Sequence, residues 1–207
     1  MAFTRDNLLG WLSRASALME ENKQYLCDLD AALGDGDLGL TMSLGFAEIK
    51  NFVESSAESD LGKLIAQAGM SMAKKAPSSM GTLVASGFMN AGKSCKGKTE
   101  LAEPEFAALL QAFTAGVKNR GKCEVGDRTI LDALQPASDV FAQAISAGKS
   151  LTEAANSAYS AAQTGCDATK NMQAKFGRAV YYGDKVIGSV DQGAVVGVLI
   201  YQALLEA

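Results

Sequence analysis

The sequence contains no histidine. That absence excludes Ser-His-Asp and Cys-His nucleophilic catalysis, HExxH zinc chemistry and a phosphohistidine carried on this chain. Any chemistry must rest on carboxylates, a metal ion and a bound cofactor, or on an imidazole brought by another chain. Basic residues are also in deficit: 19 Lys and Arg against 23 Asp and Glu leave a net charge of −4. Nucleic acid is therefore not the expected partner, because binding it requires a basic face. No apolar run reaches the roughly 20 residues that cross a bilayer; the longest, GAVVGVLIYQALL at 193–205, reads as a core helix, so no membrane is expected. The opening MAFTRDNLLGW lacks the basic start and apolar run of a signal peptide. Cys27, Cys95, Cys123 and Cys166 are scattered without a CxxC pair and read as buried, reduced thiols of a cytoplasmic protein.

What is present is apolar and helical. Of 207 residues, 48% are hydrophobic, enough for the core of one domain spanning 1–207. Helical spacing of apolar residues runs through 4–29, with Thr4 as cap and Leu8, Leu9, Trp11, Leu12, Ala15, Leu18 and Met19 on one stripe. It recurs at 40–55 (Met42, Leu44, Phe46, Ile49, Phe52) and 60–75 (Leu61, Leu64, Ile65, Ala68, Met70, Met72). Further helices are predicted at 81–92, 104–119, 129–147, 151–170 and 191–206, about eight in all. Strand–helix alternation is lacking, so the fold class is all-α. One stretch resists, Gly177 and the RAVYYGDKVIGSVDQGA that follows it to 194. There apolar AVYY and KVIG surround Gly183-Asp184, which reads as a small hairpin or an ordered loop.

Four stretches carry candidate chemistry. In LDAALGDGDLGLTM at 29–42, Asp30, Asp35 and Asp37 crowd together among glycines. Like charges so close call for a cation, and a hard ion such as Mg²⁺ takes carboxylate oxygens and completes its shell with phosphates; the alternative is an Asp/Gly turn between helices. In APSSMGTLVASG at 76–87, small residues open a helix whose free N–H groups suit phosphate, although a serine cap explains the stretch equally simply. In RGKCEVGDRTILDALQP at 120–136, Asp127 is expected to cap the apolar helix that follows. In the stretch at 177–194, Arg178 can fork onto phosphate or be a plain surface charge, and Asp191 lies near a helix start. A fifth, GFMNAGKS at 87–94, matches the Walker A pattern letter for letter. No helix is predicted after its Lys93-Ser94, so the phosphate-binding geometry is not expected there.

In that order, LDAALGDGDLGLTM, SSMGTL, RGKCEVGDRTILDAL and RAVYYGDKVIGSVDQGA make the whole chain resemble the nucleotide-binding L subunit family of dihydroxyacetone kinases. The resemblance implies an eight-helix antiparallel barrel with ADP or ATP at one end. It implies that Asp30, Asp35 and Asp37 hold two Mg²⁺ ions and carry the catalytic role. The implied nucleotide contacts are Leu38, Gly39, Leu40 and Thr41 after the third acid, Ser79 and Met80, Gly121 and Ile130, then Arg178 with Asp191, Gln192 and Gly193. The implied partners are a K-type subunit that holds dihydroxyacetone through its own histidine and, in one branch of the family, a phosphohistidine phosphotransferase (M-type) subunit. The sequence departs from the family where Leu38 replaces the usual histidine of GDGDHG, Met80 a common serine, and Gln192 the usual proline. A divergent relative acting on another short ketose, or as a nucleotide-binding regulatory module, is the alternative.

Overall fold

The computed structural model describes residues 2–206. Helix α1 (Arg5–Glu21) starts at Thr4, whose hydroxyl accepts from Asn7 N while Asn7 Oδ1 accepts from Thr4 N at 2.9 Å. The predicted first helix does not run on to residue 29. It breaks at Asn22, where the side-chain Nδ2 and the backbone N–H both turn back onto Leu18 O, at 2.9 and 3.0 Å. This is the local competition with the helical ladder for which Asn is known. A separate α2 (Lys23–Leu33) then carries Asp30 on a helix rather than beyond one.

The remaining helices are α3 (Leu38–Ser55), α4 (Leu61–Lys75), α5 (Ser79–Ser94), α6 (Glu103–Gly121), α7 (Leu131–Ser146), α8 (Leu151–Ala168) and α9 (Gln192–Leu205). Short polar side chains set most of the starts: Asp60 accepts from Lys63 N, Ser78 from Gly81 N, Ser150 from Glu153 N and Asp191 from Ala194 N. Of the two readings of 177–194, the hairpin does not form. Arg178–Val186 winds instead into a 3₁₀ segment kinked at Gly183, and among the described residues the sole β-bridge joins Phe3 to Leu101.

Packing closes the chain on itself. Helices α1, α3, α4, α5, α6, α7, α8 and α9 each lie against the next, and α9 returns to α1, giving a ring of eight with α2 added across α1 and α3. Successive members are antiparallel, so the first residues of α3, α5, α7 and α9 gather at one end of the barrel. Inside it, aromatic rings meet edge to face: Phe88 on Phe113 with centroids 5.0 Å apart, Phe46 on Phe88 at 6.1 Å, and Phe106 on Phe141 at 5.6 Å. Trp11 sits among them and donates its buried indole N–H to Ile200 O at 3.1 Å. Two residues expected on the buried stripes, Leu44 and Met70, are half exposed. No helix among the described residues is long and apolar enough to cross a membrane.

Candidate functional site

The end of the barrel where four helices begin encloses a cavity of about 930 Å³, within the range of small-molecule sites. Its wall includes the first residues of α3 (Leu38), α5 (Ser79, Met80) and α9 (Gln192, Gly193), and Ile130 just before α7. Each helix start presents the positive end of a dipole. The N–H groups opening α7 are already bonded, Leu131 N to Thr129 Oγ1 and Asp132 N to Thr129 O, and Asp191 takes up those of Gly193 and Ala194 at α9, which leaves the starts of α3 and α5 to offer donors.

The facing wall is acidic. Asp30, on the last turn of α2, is buried, and its Oδ2 accepts from Gly36 N at 2.9 Å and Asp37 N at 3.1 Å. One carboxylate thus folds the 34–37 loop over itself, while Gly36 supplies the required positive φ of 77°. Asp35 and Asp37 are exposed on that loop, and one carboxylate oxygen from each of the three acids lies within 4.8 Å of the others. Burial, then the charges of Asp35 and Asp30, raise the Asp37 carboxyl above its ordinary range, with Arg178 opposing. The crowding anticipated from the sequence is present in the fold.

Two groups already lean on these acids. Arg178 Nη2 lies 2.8 Å from Asp35 Oδ2, and Gln192 Nε2 donates to Asp30 Oδ1 at 3.3 Å. The other end of that amide, Gln192 Oε1, is buried without a hydrogen-bond partner. Three hard oxygen donors within reach of one point, with an orphaned amide oxygen nearby, fit a divalent cation of the magnesium type. The opposed helix starts fit the polyphosphate that such an ion would accompany.

Of the residues singled out in the sequence, Asp30, Asp35, Asp37, Leu38, Ser79, Met80, Gly121, Ile130, Arg178, Asp191, Gln192 and Gly193 all line this one cavity. Gly39, Leu40 and Thr41 do not. Gly39 lies where α3 meets α2, Leu40 faces outward half exposed, and Thr41 is buried. The Walker-like GFMNAGKS forms the last turns of α5, with Lys93 exposed in its final turn and outside the cavity. Asp127 is not the expected cap of α7. Its carboxylate accepts from Glu124 N at 2.7 Å and from Lys175 Nζ at 2.6 Å, and that lysine contact first, then the backbone bond, holds it below its ordinary range. Asp132, inside the first turn, reaches back instead to Gly126 N and Thr129 N at 2.5 and 2.7 Å.

Sequence reasoning missed Arg128, Thr129, Cys123 and Phe176, which also line the cavity. Arg128 left a readable signal, a lone base between Asp127 and an apolar helix. Phe176 left none. The Cys123 thiol is pushed up by burial, against a hydrogen bond from Thr129.

Residues 32–206 match the family model described as the DAK2 domain. The chain is 32% identical over 206 residues to "PEP-dependent dihydroxyacetone kinase 1, ADP-binding subunit DhaL" of Listeria innocua, covering 100% of this chain and 98% of that one. It is 30% identical over 207 residues to "PEP-dependent dihydroxyacetone kinase, ADP-binding subunit DhaL" of Escherichia coli, covering 100% and 99%. Among solved structures, the dihydroxyacetone kinase of C. freundii in complex with AMP-PNP and Mg²⁺ superposes with a TM-score of 0.73 at 27% identity, over 96% of this chain and 33% of that one. The chain therefore spans about a third of the length of that solved kinase.

Proposed function

Because the chain belongs to the DAK2 domain family, as an ADP-binding-subunit type of dihydroxyacetone kinase, we propose that it is the nucleotide-carrying phosphotransfer subunit of such a kinase. Its substrate is dihydroxyacetone or a similar short ketose held on a K-type partner. The observation that carries this reading is the cavity itself: three clustered carboxylates share it with four helix amino termini. Asp30, Asp35 and Asp37 would hold two magnesium ions, which neutralise phosphate charge as the terminal phosphoryl group moves.

The chain's own residues bind and orient. Backbone N–H groups at Ser79 and Met80 offer donors to phosphate oxygens, and Arg178 supplies a planar fork over them. Asp30 keeps the acid loop in register through its bonds to Gly36 and Asp37, so that Asp35 and Asp37 share one locus. Leu38, Met80 and Ile130 give the nucleotide an apolar wall. No side chain here is assigned to remove the proton of the acceptor hydroxyl; that falls to the partner. The relatives matched end to end are named PEP-dependent subunits, which favours ADP kept as a coenzyme and recharged by an M-type phosphohistidine subunit over exchange of ATP.

The test combines the purified chain with a K-type subunit and either ATP or a phosphotransferase donor. Phosphorylation of dihydroxyacetone is expected, with Asp35→Asn losing about 100-fold or more in turnover. Calorimetry showing that neither ADP nor ATP associates in the presence of magnesium would overturn the reading. Tight ADP binding with no turnover from any donor would leave a nucleotide-binding regulatory module instead.

A further inference from the structure

Arg128 is buried completely, with 0% of its side chain exposed, and its backbone is left-handed at φ 61°. Both features are unfavourable for this residue. One nitrogen, Nη2, points into a nest of four oxygens: Val186 O at 3.3 Å, Ser189 O and Oγ at 3.1 Å each, and Val190 O at 3.3 Å. Nη1 stands 3.8 Å from Asp191 Oδ1, and neither it nor Nε has a hydrogen-bond partner. A buried cation with two unpaired N–H groups is costly, and such sites persist where something besides stability retains them.

The oxygens it holds belong to a short connector between two parts of the cavity. Upstream is the 3₁₀ segment that begins with Arg178, and downstream is the start of α9 with Asp191 to Gly193. The connector and the 3₁₀ segment have other ties: Ala179 and Val186 pack on Leu33, Gly188 N donates to Lys170 O at 2.8 Å, Gln173 Nε2 donates to Asp184 Oδ1, Asp191 N donates to the buried Thr169 Oγ1 at 2.8 Å, and Arg178 meets Asp35. Tyr181 is 90% exposed. From the α7 side, among the described residues, it is the buried Arg128 guanidinium that grips the connector.

We propose that Arg128 is a positioning residue: touching no ligand, it fixes residues 186–190 and thereby places Arg178 over the cavity. The proposal rests on the nucleotide reading above. Lysine does not reproduce this grip, because its stem ends one atom short of Nη2 and its ammonium is a compact, strongly hydrated charge.

The test is hydrogen–deuterium exchange of the ligand-free full chain, with Mg-ADP calorimetry on Arg128→Lys, Arg178→Ala and the double variant. Arg128→Lys should speed exchange at 178–190 about tenfold, leaving α5 and α7 unchanged. It should weaken Mg-ADP binding about tenfold alone, yet less than about twofold further once Arg178 is alanine, since coupled residues are not additive. Unchanged exchange at 178–190, or losses that multiply, would overturn the proposal. If Arg128→Lys does not fold, Ser189→Ala removes a single acceptor; the same selective exchange and coupling are expected at about threefold, and no change overturns the proposal. Wild-type chain that binds no Mg-ADP sinks the functional reading, whereas the exchange comparison, which uses no ligand, still decides the anchoring.

Discussion

Arg178 Nη2 lies 2.8 Å from Asp35 Oδ2, so the acid cluster already carries a cation supplied by the chain. The two side chains are 64% and 46% exposed, which limits the pair to about 1 kcal/mol or less. That small energy nevertheless has opposite signs for two ligands. Magnesium alone competes with the guanidinium for Asp35, whereas a magnesium-bound polyphosphate offers the guanidinium a better anion. Arg178→Ala is therefore expected to tighten binding of Mg²⁺ alone by up to about fivefold and to weaken Mg-ADP by about tenfold or more. Titration calorimetry with each ligand reads both; weaker binding of the free ion would contradict the competition.

The Walker-like GFMNAGKS lies inside α5, where every backbone N–H after the first turn is committed to the helical ladder. No loop exists there to cradle phosphate. Lys93→Ala should leave Mg-ADP affinity within about twofold, the scatter of an ordinary surface change, as read by calorimetry. A loss approaching that of Asp35→Asn would restore the P-loop reading.

The limits of sequence reading follow from what pattern can encode. Apolar spacing locates α3 to α9 within a few residues, and Thr4 and the small-residue start at Ser78 are visible because caps are local chemistry. The break at Asn22 is not visible, since the apolar stripe continues through Leu18, Met19 and Leu26 on both sides of it. The 3₁₀ segment reads as a small hairpin or an ordered loop because Gly183-Asp184 between apolar runs is a turn signal, and periodicity cannot tell whether a strand will find a partner. The acids of the site announce themselves through crowding. Arg128 shows in the sequence as a lone base beside Asp127, but its role depends on carbonyls some sixty positions away, which no local pattern records.

Gly39 controls the spacing between α2, which carries Asp30, and α3, which follows Asp37 directly. A β-carbon there would lie 1.9 Å from Lys23 O and 2.8 Å from Cys27 Sγ, inside both contact distances. The first clash is with backbone, which cannot rotate away. Gly39→Ala must push α2 from α3, displacing Asp30 relative to Asp37. Urea unfolding should show a loss of about 1–3 kcal/mol from overpacking, accompanied by weaker Mg-ADP binding. Retained stability with retained affinity would mean that α2 can move without disturbing the site.

Asp191 gives the fold a pH dependence that can be isolated. Its carboxyl is buried at the start of α9 and pushed up to about 6, first by burial and against its bond from Ala194 N and the charge of Arg128. A raised carboxyl pKa means that the native chain binds a proton which the unfolded chain has released, across the interval from the ordinary value near 3.8 to about 6. Its contribution to stability is therefore full below the unfolded pKa, falls as pH rises through that interval, and is lost above about 6. Asparagine caps a helix as well as aspartate does but cannot ionise. In ligand-free protein, Asp191→Asn should gain on the wild type as pH rises from 4 to 7, by at most about 3 kcal/mol. Taking the difference between the two chains at each pH cancels the titration of every other group. A difference that stays flat across that range would show that Asp191 is ionised throughout and that Arg128, at 3.8 Å, compensates it fully.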